Sequence, residues 1–323
     1  MTKPLAVYTD TDDLSPAPGI ELLEAAGFEV RHLETTDKRK IIAGAQGASA
    51  LLVGYAEIDA EIIEALPSVE IYSLLSMGFN NIDVDAATRH GKWVSNVRGA
   101  ATDEVAEHTI ALALAVARGL RPFNALVEGG EWNITGAPAP KQLGALRFSV
   151  LGFGRIGRKV AELAQPIFGK VLVHDPFVPA EVVAENAHRF EFVSLDEAIA
   201  AADVLSLHMP LTPENHGLLN AERLASMPAG SIVVNASRGE LVDEAALLAS
   251  LNSGHTYGAG LDVLVNEPPT ADDPLLGRPD VIVTPHTGFL SERTYVEYPV
   301  TQAKNVIAHA ETGRPLTPVN ELS

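Results

Sequence analysis

The chain has no cysteine among its 323 residues, which excludes disulfides, thiolate metal sites and a cysteine nucleophile. Positive charge is also scarce. Lys and Arg number 23 against 42 Asp and Glu, a formal net charge of -19. A surface this acidic repels phosphate backbones and anionic lipid, so neither a nucleic acid nor a membrane surface is an expected partner. Long apolar runs are missing too. The most uniform one, "IALALAVA" from Ile110 to Ala117, is far too short to span a membrane. The N-terminal "MTKPLAVYTDTDDL" has no apolar core of a secretory signal. With no low-complexity tract and no internal repeat, a cytoplasmic globular protein is the expectation.

At 46% hydrophobic and 20% charged residues, the composition is that of an ordinary folded chain, long enough for about two domains. Short apolar runs alternate with longer amphipathic ones, the pattern of helices packed on parallel sheets. "PLAVYTD", "FEVRHL", "SALLVGY" and "EIYSLLS" read as strands, with helices near Ile20 to Ala26, Lys38 to Ala45 and Ala60 to Leu66 between them. A long helix is expected over Thr102 to Leu120, with Thr102 as its N-cap and acids in its first turn. A second strand–helix series starts at "RFSVLGFGRIGRKVAELA" and continues through "KVLVHD", "DVLSLHM", "GSIVVNA", "YGAGLDVL" and "DVIVTPH". A last helix from Ser291 to about Glu311 can return to the first unit. The expected domains are residues 1–101 with 292–323, and residues 102–291.

"VLGFGRIG" places Gly152, Gly154 and Gly157 in the spacing G-x-G-x-x-G, between an apolar strand and a helical run. Such glycines permit a tight turn and a close approach of backbone to a pyrophosphate at a helix N-terminus. Asp175 lies 18 residues beyond Gly157, at the end of the next strand. Its carboxylate suits the adenosine ribose hydroxyls and repels a 2′-phosphate, which favours NAD(H) over NADP(H).

Three polar residues follow later apolar strands. They are Arg238 after "SIVVNAS", Glu267 after "GAGLDVLVN" and His286 after "DVIVTP". In open α/β sheets ligands bind outside the carboxyl ends of the strands, so these three can converge there. A guanidinium can grip a carboxylate through two N–H groups and polarise the adjacent carbonyl. An imidazole can give a proton to the forming alkoxide, and a neighbouring carboxylate fixes its orientation. Taken singly, each has a plainer reading as a loop arginine, a strand-ending glutamate or a satisfied histidine. Their co-occurrence after a nucleotide signature favours function, and the chemistry requires no metal.

These segments together resemble the D-isomer-specific 2-hydroxyacid dehydrogenases, which include glyoxylate, hydroxypyruvate and phosphoglycerate dehydrogenases. The resemblance is carried by "GFGRIG", "ADVLSLHMPLTPENHGLLN", "MPAGSIVVNASRGELVDEAAL", "GAGLDVLVNEP" and "TPHTG", with "SMGFNNIDVDAA" and "DEVAEHTIALALA" in the first half. It implies a Rossmann-type doubly wound parallel sheet plus a discontinuous flavodoxin-like substrate domain. It implies that Arg238 binds substrate, that His286 is the acid/base and that Glu267 is its partner. The backbone of Met77 and Gly78 would receive the substrate carboxylate. Thr102, Gly152, Gly154, Arg155, Ile156, Gly157, Asp175, His208, Pro210, Ala236 and Asp262 would line the cofactor. The expected activity is hydride transfer between NAD(H) and a small anionic D-2-hydroxy acid or 2-oxo acid, in a homodimer formed chiefly through the Rossmann domain.

Two rival readings share the scaffold: oxidation of formate or phosphite, and an NAD(H)-sensing protein like the corepressors of this fold. Three positions depart from the usual family pattern. Arg98 stands where a proline is common, and the bulky Phe289 and Leu290 stand where small residues are frequent. The last two are expected to narrow the pocket or make it more apolar. Glu104 and His108, four apart on one helix, resemble half a metal site but have no credible third ligand, so a structural role is expected for them.

Overall fold

The computed structural model describes residues 3–11 and 14–322. The chain divides into two compact units, Met1–Ala100 with Leu290–Ser323, and Ala101–Phe289. Among the described residues the first unit holds the strands β1 (Leu5–Tyr8), β2 (Glu29–His32), β3 (Ala50–Val53), β4 (Ile71–Leu74) and β5 (Trp93–Ser95). They form one parallel sheet in the order β2-β1-β3-β4-β5, a flavodoxin-like arrangement. The central β3 and β4 are buried along their whole length, whereas edge strand β2 alternates exposed and half-buried residues. "ALLV" therefore reads as a continuous apolar run and "EVRH" does not.

The helix Glu292–Thr312 packs on this sheet and against the helix Ala17–Ala25. A Cβ on Gly19 would lie 2.6 Å from the Pro299 carbonyl oxygen, so that helix crossing requires glycine. The buried amide of Gln302 donates to the carbonyls of Val53 in β3 and Ser73 in β4.

The second unit holds β6 (Arg147–Leu151), β7 (Lys170–His174), β8 (Glu191–Phe192), β9 (Val204–Leu207), β10 (Ser231–Asn235), β11 (Thr256–Leu261) and β12 (Val281–Val283). All pair in parallel, in the order β12-β11-β10-β9-β6-β7-β8. The chain winds outward from β6 to β8, returns to place β9 against the other side of β6, and winds away to β12. This is the doubly wound dinucleotide-binding order with a seventh strand, and the reversal between β6 and β9 opens a crevice at their carboxyl ends. Phe148, Val150, Val234 and Ile110 share one core here, and Leu205, Val233 and Leu261 belong to another. Both expected sheet types are present.

The helix Thr102–Ala117 lies on the second sheet, against β10 and β11. It buries Val105, Ala106, Leu112, Ala113 and Val116, so its apolar length reflects a core position. No single helix among the described residues is long and apolar enough to cross a membrane. A Cβ on Gly258 would lie 2.8 Å from Val116 Cγ1, and one on Gly260 would lie 2.8 Å from Leu112 Cβ. The two glycines of β11 thus let the helix settle directly onto the strand.

Several local expectations need correction. Thr102 is the first helical residue, and Ala101 is the N-cap without a side-chain bond. The helix stops at Ala117 because Gly119 takes a left-handed conformation, φ 60°, and a separate helix Leu120–Glu128 follows. Strand β5, the two-residue β8 and the helix Val84–Arg89 had no sequence counterpart.

Candidate active site

The glycine signature folds as the turn between β6 and the helix Arg155–Ala164. Gly152 has φ 97°, and a Cβ there would lie 2.5 Å from the His208 carbonyl oxygen. A Cβ on Gly157 would lie 1.9 Å from the Gly152 carbonyl oxygen, whereas one on Gly154 would meet nothing within 4 Å. The first and third glycines therefore close the turn, and the second leaves open space above the helix N-terminus, where Gly154 is the N-cap and Arg155 the first helical residue. Such an opening lets a pyrophosphate approach unpaired N–H groups. Arg155 is exposed and Ile156 half-buried, the latter packed on the core beneath.

Asp175 follows β7 directly. Its Oδ2 accepts from the Phe153 N–H at 2.7 Å and its Oδ1 from the Phe177 N–H at 2.8 Å. A carboxylate offers about four acceptor sites, so the pinned group retains capacity for ribose hydroxyls. His208 stands behind the turn, where burial pushes its imidazole down to about 3, and its Nε2 pairs with Ser206 Oγ at 2.7 Å. It is neutral at physiological pH. The unfolded chain takes up this proton near the ordinary 6.5 and the folded one does not, so the linked stability is full above that pH and is lost as pH falls toward 3. Thermal melts from neutral to acid pH should therefore show a shallower decline for His208→Gln than for the wild type. Parallel curves would refute the assignment. Pro210 is exposed just beyond, with its carbonyl taken by the Asn215 amide.

The three candidate reacting residues lie beyond the carboxyl ends of the neighbouring strands β10, β11 and β12. Asn235, buried at the end of β10, fixes the first loop. Its Oδ1 accepts from Ser237 N–H at 3.0 Å and its Nδ2 donates to Arg238 O at 2.7 Å. This is the local ring that asparagine forms readily at strand ends. Gly239 is obligatory beside it, because a Cβ would lie 2.1 Å from the Leu264 carbonyl carbon. Ala236 and Arg238 are half-buried. One guanidinium nitrogen donates to Ser237 O at 2.6 Å, which leaves further donors of its fork free for an anion.

Glu267 and His286 form a pair. His286 Nδ1 lies 2.7 Å from Glu267 Oε2, and Glu267 Oε1 accepts from the Leu264 N–H at 3.0 Å. Burial pushes the Glu267 carboxyl up. The hydrogen bond and charge of His286, the Leu264 N–H and the Arg238 charge outweigh burial and hold it below the ordinary glutamate range. An ionised Glu267 only accepts, so His286 Nδ1 carries the proton and Nε2 is the nitrogen left for a substrate.

Asp262, 3% exposed, faces inward. Its Oδ1 accepts from Thr284 Oγ1 at 2.6 Å and Thr287 N–H at 2.9 Å, and its Oδ2 accepts from Gly288 N–H at 2.8 Å. Burial pushes this carboxyl up, but the hydrogen bonds from His108, Thr284 and Gly288 outweigh that and hold it below the ordinary aspartate range. His286 itself sits at φ 52°, with its N–H directed to the carbonyls of Asp262 and Thr284, both at 2.9 Å. Thr284 and Asn235 are site-building residues that the motifs do not mark, and His108, conspicuous in the sequence only as half a metal site, bonds Thr284 instead. The Asn-Ala-Ser-Arg-Gly run after an apolar strand is the available signal for Asn235; Thr284 carries none on its own.

In the other unit, Met77 and Gly78 follow β4. Met77 O accepts from Asn96 Nδ2 at 2.6 Å, and Gly78 O accepts from Ser76 Oγ at 2.7 Å. With both carbonyls tied back, neither N–H of this pair has an acceptor among the described residues. Arg98 and Leu290 are exposed and Phe289 is half-buried. Among the described residues no cluster of three His, Asp or Glu could hold a metal ion.

A doubly wound sheet with a glycine turn, an aspartate closing the next strand and a Glu–His pair at its carboxyl edge has the layout of a dinucleotide-dependent dehydrogenase scaffold. Residues 110–288 match the family described as D-isomer specific 2-hydroxyacid dehydrogenase, NAD binding domain. The chain is 35% identical over 268 residues to a glyoxylate reductase of Korarchaeum cryptofilum, covering 82% of this chain and 80% of that one. It is 39% identical over 285 residues to a D-3-phosphoglycerate dehydrogenase of Mycobacterium bovis. That match covers 88% of this chain but 53% of the relative, so the chain spans about half the length of such relatives. A crystal structure of a glyoxylate reductase from Paecilomyes thermophila superposes with a TM-score of 0.88 at 28% identity, over 99% of each chain. The chain belongs to the D-isomer specific 2-hydroxyacid dehydrogenase family, and its cofactor is NAD(H).

Proposed function

We propose that the protein interconverts a small D-2-hydroxy acid and its 2-oxo acid. The observation that carries this reading is the 2.7 Å contact of His286 Nδ1 with Glu267 Oε2, beside Arg238 and on the same sheet edge as the glycine turn. Gly152, Gly154 and Gly157 would shape the pyrophosphate site of NAD(H) and Asp175 would accept from its ribose hydroxyls, and the bound cofactor would supply or take the hydride. Arg238 holds the 2-oxo acid and polarises its carbonyl through charge-assisted N–H donors. In reduction His286 gives its Nε2 proton to the carbonyl oxygen, while Glu267 stabilises the imidazolium before transfer and fixes the ring plane. In oxidation the same nitrogen takes the hydroxyl proton. Formate oxidation releases no hydroxyl proton for His286 to take, and phosphite has no carbonyl for Arg238 to polarise.

A panel of 2-oxo acids with NADH, followed by cofactor absorbance, tests the reading. Turnover of glyoxylate, hydroxypyruvate or a close analogue is expected. Activity confined to formate or phosphite as donor, or no turnover at all, would overturn it.

We further propose a homodimer through the second unit. Trp132 and Ile134 are 91% and 88% exposed, beyond the helix Leu120–Glu128, of which no residue is buried and Leu120 and Val127 are exposed. Apolar side chains grouped in this way mark association surfaces. Light scattering should give twice the 34.2 kDa chain mass, and Trp132→Ser with Val127→Glu should shift the protein to monomer. A monomeric wild type would refute the dimer.

A further inference from the structure

His108 belongs neither to the glycine turn nor to the Glu267–His286 pair, and its place is set by a register between helix and strand. Along the helix Thr102–Ala117, Val116 rests over Gly258 of β11 and Leu112 rests over Gly260. Four helical residues advance ~6 Å, and two strand residues advance ~6.6 Å, so the two ladders keep step. One further step brings His108 to Asp262. There His108 Nε2 lies 2.9 Å from Thr284 Oγ1 and 3.3 Å from Asp262 Oδ1. Its Cδ2 is 3.4 Å from where a Gly288 Cβ would stand.

The proton positions follow from what each partner can do. The Asp262 carboxylate only accepts, so the single Thr284 hydroxyl proton goes to Asp262 Oδ1 across 2.6 Å. Thr284 Oγ1 can then only accept from His108, and Nε2 must carry a hydrogen. The helix therefore directs an N–H at the carboxylate around which residues 284–288 are wrapped. Asp262 holds the N–H groups of Thr287 and Gly288, and the Asp262 and Thr284 carbonyls hold that of His286. His108 is 24% exposed at its side chain and is joined to the His286 backbone by two links.

We propose that His108 is a positioning residue. By donating Nε2–H to Thr284 and Asp262 it fixes the loop that aims His286 at Glu267. The proposal rests on His286 as the proton donor of the reaction proposed above. A helix residue that merely packed could be any apolar side chain of similar size; one that positions must donate a hydrogen bond.

His108→Leu and His108→Gln in the full chain separate these roles. For His108→Leu, kcat on the best 2-oxo acid of the panel should fall about ten-fold or more while KM and NADH affinity change little, since small misplacements of a reacting group act on the chemical step. The downfield proton signal of His286 Nδ1–H, identified by its loss in His286→Gln, should vanish through faster solvent exchange. His108→Gln keeps a side-chain N–H and should recover most of kcat and of the signal. Wild-type kcat with a retained signal in His108→Leu would overturn the proposal. Equal loss in both variants, with equal falls in melting temperature, would overturn it in favour of packing. If the wild type turns over no 2-oxo acid, the proposed function fails. The proton signal then decides positioning alone: its retention in His108→Leu overturns the proposal and its loss in that variant supports it.

Discussion

His286→Gln is expected to lower kcat by about two to four orders of magnitude, the usual range for removing a positioned general acid, with NADH binding little changed. Glutamine preserves much of the volume and can still hydrogen-bond Glu267, but it has no proton to give at the position of Nε2. The glycine turn and Asp175 are built on β6 and β7, away from the loop after β12, so cofactor affinity should survive. Glu267 and His286 share one contact, so their effects should not add. The double variant with Glu267→Gln should be little worse than His286→Gln alone. Fluorescence titration of NADH and steady-state rates on the same preparations make the test. Wild-type kcat in His286→Gln would refute the acid/base role.

Gly157→Ala should cost the protein both stability and cofactor. The added Cβ would lie 1.9 Å from the Gly152 carbonyl oxygen, and backbone cannot yield as a flexible side chain can. Gly152 cannot move freely either, being held at φ 97° against the His208 carbonyl. Overpacking of this kind destabilises by about 1–3 kcal/mol or more, and it opens the turn that shapes the pyrophosphate site. Gly154→Ala is the informative companion. Its Cβ would meet nothing within 4 Å, so melting should stay near wild type while NADH binding weakens, because the methyl group occupies the opening above the helix N-terminus. Calorimetry and NADH titration on both variants distinguish the roles. Equal melting temperatures for Gly157→Ala and wild type would refute the steric account.

The parts of this site that were readable in the sequence are those whose chemistry is local. Gly152, Gly154 and Gly157 declare a backbone need by being glycine, and Asp175 declares itself by closing the next apolar run. Arg238, Glu267 and His286 were conspicuous because each follows a strand too apolar to be at a surface. The long buried strands were equally plain, whereas β8 is two residues long and has no period to detect. Strand β5, only three residues, and the six-residue helix Val84–Arg89 failed for the same reason. Thr102 looked like an N-cap because threonine commonly caps helices, yet the backbone turns helical one residue sooner. His108 and Thr284 are separated by 176 residues, and their hydrogen bond exists only because Gly258 and Gly260 let a helix lie on β11. That relation is tertiary, and no window of sequence contains it.

The left-handed backbone at His286 has a consequence for how this protein can change. A side chain other than glycine held in that region disfavours the fold by roughly 1–2 kcal/mol, and the surrounding hydrogen bonds to Asp262 and Thr284 keep the strain in place. Glycine or asparagine would sit there more comfortably, but neither can carry the proton. Selection for heat resistance alone would therefore press on the residue that selection for turnover must keep. In a library screened only for survival, drift at position 286 would yield sturdier and silent molecules.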